Sequence, residues 1–172
     1  MRRTAAAAGS SVFFALAPGV VAGLVPWWLT GWRLGAPLPT WWPLRLVGAL
    51  LVIAGAAVLV HAFARFVTEG LGTPAPVAPT AQLVVGGLYR YVRNPMYLAV
   101  TATILGQALL LWRPVLLAYA AIVAGAFVAF VFGYEQPTLR QQFGPSYDAY
   151  RRAVPAWWPR LHAWNPELDE RT

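Results

Sequence analysis

Four stretches of this chain carry no charged residue: 4–32, 46–64, 94–112 and 114–134. A helix rises ~1.5 Å per residue, and about 20 apolar residues cross a ~30 Å hydrocarbon core. Each stretch is therefore long enough to span a bilayer, the second and third only narrowly, and the pattern predicts four transmembrane helices. Only Trp112, Arg113 and Pro114 separate the third from the fourth, which predicts an antiparallel hairpin with a very short turn. The first stretch admits two readings. Arg2, Arg3 and the small residues Ala15 and Ala17 resemble a signal peptide with its cleavage site, whereas apolar residues continuing to Leu29 favour an uncleaved anchor. Pro18 and Pro26 should kink that helix, which membrane helices tolerate where neighbours satisfy the freed carbonyls.

The polar residues gather between and after these stretches. Residues 68–85 carry Gly70, Gly72, Pro74, Pro76 and Pro79, the composition of an irregular, semi-extended loop that either covers a pocket or merely connects. Residues 86–97 read GGLYRYVRNPMY, a compact polar and aromatic cluster at the edge of the third apolar stretch. Beyond the fourth stretch, Glu135 precedes Pro137, which is well placed to start a new helix, and Leu139 and Phe143 follow at helical spacing. Gly144 breaks the pattern, and Pro145 opens a second short helix with Tyr147, Tyr150, Arg151 and Val154. These predict amphipathic helices at the membrane surface, with Trp157, Trp158 and Trp164 as interfacial anchors. The expected fold class is all-α: a polytopic membrane protein of about four transmembrane helices with C-terminal amphipathic interfacial helices. It forms one domain over 1–172, divided into two N-terminal spans (1–67), a cytoplasmic loop with the polar cluster (68–95), a helical hairpin (96–134) and cytoplasmic C-terminal helices with a tail (135–172).

Composition agrees with a membrane location, since 59% of residues are hydrophobic and 11% charged, against roughly 25% charged in soluble domains. Every basic residue is arginine and alanine is abundant, which suggests a GC-rich bacterial genome and the inner membrane as the location. With the N-terminus inside, four spans put Arg2, Arg3, Arg65, Arg90, Arg93, Arg140, Arg151, Arg152, Arg160 and Arg171 on the cytoplasmic face. Only Arg33, Arg45 and Arg113 remain outside. Both termini are then cytoplasmic, and the cluster at 86–97 can meet the segment after Glu135. The net charge of +7 is accounted for by this topology and by attraction to anionic lipid, so no nucleic-acid partner is expected. The absence of cysteine excludes disulfides, thiolate metal sites and cysteine nucleophiles. His61 and His162 lack a metal-ligand spacing, and no metal is expected.

The run Gly87-Leu88-Tyr89-Arg90-Tyr91-Val92-Arg93-Asn94-Pro95-Met96-Tyr97 is followed, after one helical hairpin, by Glu135, Leu139, Phe143-Gly144, Tyr147, Tyr150 and Val154-Pro155. In that order the two motifs resemble the isoprenylcysteine carboxyl methyltransferase and phospholipid methyltransferase superfamily over about the C-terminal half. The resemblance implies an integral membrane methyltransferase that uses S-adenosylmethionine and acts on a lipophilic or lipidated acceptor entering from the bilayer. It also implies that Gly87, Tyr89, Arg90, Arg93, Asn94, Pro95, Tyr97, Glu135, Tyr147 and Tyr150 bind the cofactor, with Arg93 and Glu135 as the catalytic pair. The chain departs from the superfamily pattern at Asn94, where histidine is usual, at Ala99, where glycine often follows the tyrosine, and at Gln136, where a second glutamate is common. Asparagine keeps a donor and an acceptor but cannot titrate.

The residue chemistry is compatible with that cofactor, which presents a carboxylate, an ammonium, a sulfonium and a flat adenine. Arg93 or Arg90 can pair with the carboxylate and Glu135 with the ammonium. Tyr89, Tyr91 and Tyr97 can face adenine or the sulfonium, and Gly86 and Gly87 allow close backbone approach. A plainer reading stands beside each: positive-inside arginines, belt tyrosines, and at His61, Arg65 and Glu69 a snorkelling arginine with a local ion pair. The acceptor classes left open are an isoprenylcysteine-like carboxylate, a phospholipid amine and a small thiol. Outside enzymes, the composition also suits a membrane protein that binds anionic lipid or a protein partner.

Overall fold

The computed structural model describes residues 16–36, 40–70 and 83–165. The described residues form helices joined by irregular segments, with no strand among them. Helix α1 is Leu16–Thr30, α2 is Trp42–Gly70, α3 is Pro95–Leu111, α4 is Val115–Phe143 and α5 is Pro145–Ala153. A 3-10 turn, Gly87–Arg90, precedes α3.

Two of these helices, α2 through its Trp42–Ala62 portion and α4, are long and apolar enough to cross a membrane. Helices α1 and α3 are apolar but shorter; the 17 residues of α3 rise about 26 Å. Length thus accounts for two of the four expected spans. The third stretch is shortened at both ends, because Asn94 is the residue before α3 and Trp112 turns into the left-handed region at φ 53°. The possible cleavage site at Ala15, with Arg2 and Arg3, lies outside the described residues.

The outward faces of the two long helices are apolar. Ile53 is 66% exposed and Ile122 70%, an arrangement that suits acyl chains and not water. Helix α3 is the hub. Its Val100, Ile104 and Ala108 pack with Leu116, Ala120 and Val123 of α4 in one buried cluster, and α2 lies along it more extensively than any other pair of helices. Glycine permits that approach: a Cβ on Gly106 would sit 2.7 Å from the Gly48 carbonyl oxygen and 2.9 Å from the Val52 amide nitrogen. Small residues at such a seam let backbones touch where lipid provides no hydrophobic drive.

Helix α1 contains a π-helical turn, Val20–Leu24. Pro26 has no N–H, so the Ala22 carbonyl lacks its donor four residues on and the Val21 carbonyl lacks one five residues on. Both are satisfied from neighbouring helices. The Gln107 amide donates to Ala22 O at 2.6 Å, and the Tyr119 hydroxyl donates to Val21 O at 2.9 Å. The Trp32 indole N–H closes the set by donating to Gln107 Oε1 at 3.2 Å.

At the α3–α4 turn, the Gly35 N–H donates to Leu111 O at 2.8 Å and Arg113 Nε to Arg33 O at 2.8 Å. Trp41 meets Trp112 edge-on at 5.9 Å, with the Arg45 guanidinium 5.6 Å above the Trp41 ring. This end is the expected short hairpin turn, ringed by tryptophan and arginine.

Two boundaries differ from expectation. Helix α2 runs on to Gly70, taking the first residues assigned to the loop; residues 71–82 with their prolines lie outside the described set. The break expected between Glu135 and Pro137 is also not there. Helix α4 continues through a second π-helical turn, Val131–Glu135, in which the Gln136 N–H donates to Val131 O. The wider turn accommodates a proline whose ring would clash with the carbonyl four residues back in an α-helix. The stop at Gly144 is as expected, with φ 50° and ψ −125°.

Candidate functional site

The polar cluster is folded against the C-terminal segment, at the end of the bundle away from the Trp41–Trp112 pair. Gly87 turns the chain at φ 56°, in the left-handed region that glycine enters without penalty. A Cβ there would stand 3.0 Å from His61 Nε2 and 3.2 Å from the Arg65 Cγ, so the turn lies directly on the end of α2. His61 and Arg65 therefore face the cluster; the Glu69 side chain, their expected partner, lies outside what is described.

Residues 153–164 strap over the cluster through main-chain groups. The Arg93 N–H donates to Pro155 O at 2.9 Å, the Arg160 N–H to Tyr91 O at 2.9 Å and the Trp164 N–H to Arg90 O at 3.0 Å. Side chains add to this. Arg90 Nε donates to Trp164 O, Asn94 Nδ2 to Ala156 O at 3.1 Å and the Tyr150 hydroxyl to Tyr89 O at 2.7 Å. Trp164, expected as an exposed anchor, is 7% exposed and packs its ring 5.3 Å from Tyr150; Trp158, at 78%, keeps the exposure an anchor needs. The strap is what the sequence did not disclose, since it is made largely of backbone carbonyls that any residue supplies.

The candidate residues thus divide. Arg90 and Asn94 hold strap to cluster, Tyr150 ties α5 to the Tyr89 carbonyl, and Pro95 opens α3 at a position where its missing N–H costs nothing. Arg93, Tyr97, Glu135 and Tyr147 come together from three segments of the chain. Arg93 Nη1 donates to the Tyr147 hydroxyl at 3.2 Å, while its Nε is buried without a partner. The Tyr97 hydroxyl donates to Glu135 Oε2 at 2.8 Å, and the Tyr97 ring stacks on Phe127 at 4.6 Å and 29°. Glu135 closes the π-helical turn of α4. A carboxylate at a membrane helix end is costly unless paired, so its partner hydroxyl and the nearby arginine matter.

Burial raises the Tyr147 hydroxyl above its ordinary value, against the opposing charge and hydrogen bond of Arg93; Glu135 raises it further and Arg151 lowers it. Tyr150 is likewise raised by burial, with Arg93 opposing. Both stay neutral donors at physiological pH. Arg93, Glu135 and Tyr147 therefore share one electrostatic neighbourhood, an arginine with an unpartnered Nε close enough to a carboxylate to influence it. Such a pair suits a ligand carrying both a negative and a positive group. Among the described residues no group of acidic, histidine or cysteine side chains could hold a metal ion.

A family model described as phospholipid methyltransferase matches residues 44–146, a range that contains Arg93, Tyr97 and Glu135. Neither the curated proteins nor the solved structures give a significant match.

Proposed function

Because the chain belongs to the phospholipid methyltransferase family, we propose that this membrane methyltransferase takes its methyl group from S-adenosylmethionine and delivers it to a lipophilic acceptor. The observation that carries the reading is the buried, unpartnered Arg93 Nε in the same neighbourhood as Glu135, whose carboxylate Tyr97 holds at 2.8 Å. Arg93 would bind the cofactor's carboxylate and Glu135 its ammonium, each through a charge-assisted hydrogen bond. Tyr147 orients the guanidinium and Tyr97 orients Glu135. Arg90 and Asn94 support the cofactor by keeping the strap in place, and Tyr150 by tying α5 to the Tyr89 carbonyl.

When bound, the cofactor supplies a methyl group already activated by its sulfonium, so the protein's main task is to position the acceptor and exclude water. A carboxylate or thiolate acceptor needs no base. For an amine acceptor, Glu135 is the carboxylate within the cluster that can receive the proton. Asn94 cannot titrate, and its amide is occupied by Ala156 O.

The apolar outer faces of α2 and α4 support lateral entry of the acceptor from lipid. In the same reading α1 and α3 also cross the bilayer, both termini are cytoplasmic and the membrane is a bacterial inner membrane. The side-chain ties from Gln107 and Tyr119 to α1 support placing all four helices at one depth. An assay of labelled cofactor with a lipid extract separates phospholipid amine, prenylated cysteine and small-thiol acceptors.

Titration calorimetry of the detergent-solubilised protein with S-adenosylmethionine and its demethylated product tests the cofactor site. Glu135→Gln and Arg93→Ala should each cost about 2 to 3 kcal/mol, roughly 30-fold to 150-fold in affinity. Unchanged affinity in both variants would return these residues to purely topological roles.

A further inference from the structure

A second site lies between the C-terminal part of α4 and α5. An open groove of about 570 Å³ is lined by Phe132, Gln136, Pro137, Arg140, Gln141 and Arg151. Phe132, Gln136 and Arg140 are four residues apart and form one stripe along α4, and Arg151 closes the groove from α5. The stripe is graded. Phe132, 54% exposed, continues the apolar face of the span, and Arg140 stands at its polar end. Between them Gln136 is only 6% exposed, yet its Nε2 has no hydrogen-bond partner. A buried amide left without a partner costs about 1–3 kcal/mol, so it requires an acceptor.

The charges in the groove specify that acceptor. Arg140 is shared with Asp148 at 3.3 Å, whereas Arg151 has no carboxylate partner among the described residues. Among the described residues the groove therefore offers one guanidinium without a carboxylate partner, a half-neutralised one and an amide donor, with no carboxylate among its lining residues. We infer that it binds the phosphodiester of a membrane glycerophospholipid, with the glycerol and upper acyl chains against Phe132. Arginine recognises phosphate in a bidentate fashion, and the apolar step at Phe132 selects a lipid over a free anion. Glutamine at 136 is decisive, because a carboxylate there would repel the phosphate that its amide attracts.

Calorimetry with dihexanoylphosphatidylglycerol, on the full chain in uncharged detergent, tests the site. The wild type should bind it saturably and more weakly as salt rises. Gln136→Glu and the exposed Arg151→Gln should each weaken binding by about tenfold or more, while both still bind S-adenosylmethionine as the wild type does. Equal binding of dihexanoylglycerol, or unchanged lipid binding in both variants, overturns the proposal. Inorganic phosphate binding as tightly as the lipid overturns the lipid assignment. If the wild type binds the lipid but not the cofactor, the phosphodiester site stands and the cofactor reading alone fails.

Discussion

Arg93 and Asn94 are neighbours with opposite fates, and the difference is set by which of their polar atoms have partners. Asn94 is 5% exposed and gives its amide to Ala156 O, so removing it forfeits a part-buried tie to the strap, worth about 0.5–1.5 kcal/mol. Arg93 keeps a buried donor without a partner, which the proposed function assigns to the cofactor. Asn94→Ala should therefore lower the thermal midpoint more than the cofactor affinity, and Arg93→Ala the reverse; a crossed pair of calorimetric and thermal measurements reads this directly. Asn94→His restores the superfamily's usual residue and should keep cofactor binding if the ring reaches Ala156 O. Tyr147 carries a pH prediction. Its folded pKa is raised, so the neutral form is favoured in the folded state. The stability this contributes is fully present below the ordinary phenol value of about 10 and is lost as pH climbs above it. Thermal midpoints should fall above that pH, and Tyr147→Phe should blunt the fall; an identical alkaline limb in the variant would show that other groups govern it.

At the scale of elements, the two π-helical turns show what a proline does when a helix must continue through it. The prolines themselves were legible as disturbances, and for Pro26 so was the need for neighbours to satisfy freed carbonyls. The identity of those neighbours was not, because Gln107 and Tyr119 lie 85 and 98 residues from their acceptors and only the packing of three helices brings them there. Pro137 was read as a helix start because proline at the first position of a new helix and proline just after a π-helical turn look alike in sequence. Gln107→Leu should destabilise the protein by about 1–2 kcal/mol, within the range for polar contacts between membrane helices. In a Pro26→Ala background the regained N–H can serve Ala22 O, so the same substitution should cost less. A double-mutant cycle of unfolding in mixed micelles measures the coupling, and strict additivity would mean that Gln107 does not act through that carbonyl.

At the scale of the molecule, the hairpin, the C-terminal helix after Gly144 and the meeting of Arg93 with Glu135's segment were readable, because charge-free runs and punctuating residues set them. The strap, the burial of Trp164 and the groove beside Gln136 were not, because they depend on carbonyls and on contacts between distant residues. What the whole arrangement requires is polarity of the bundle: the Trp41–Trp112 end with Arg33 and Arg113 on one side of the membrane, the Arg93–Glu135 cluster on the other. In the proposed topology, the ten-to-three distribution of arginines read from the sequence puts the cluster end in the cytoplasm. The chain has no cysteine, so single introduced cysteines report cleanly. Leu161, 92% exposed on the strap, and Arg33, exposed at the opposite end, are suitable positions. In intact cells a membrane-impermeant maleimide should label Arg33→Cys, and Leu161→Cys should react only after the membrane is opened. Labelling of both from outside would place the cluster on the wrong side for a cytoplasmic cofactor and sink the topology on which the enzyme reading depends.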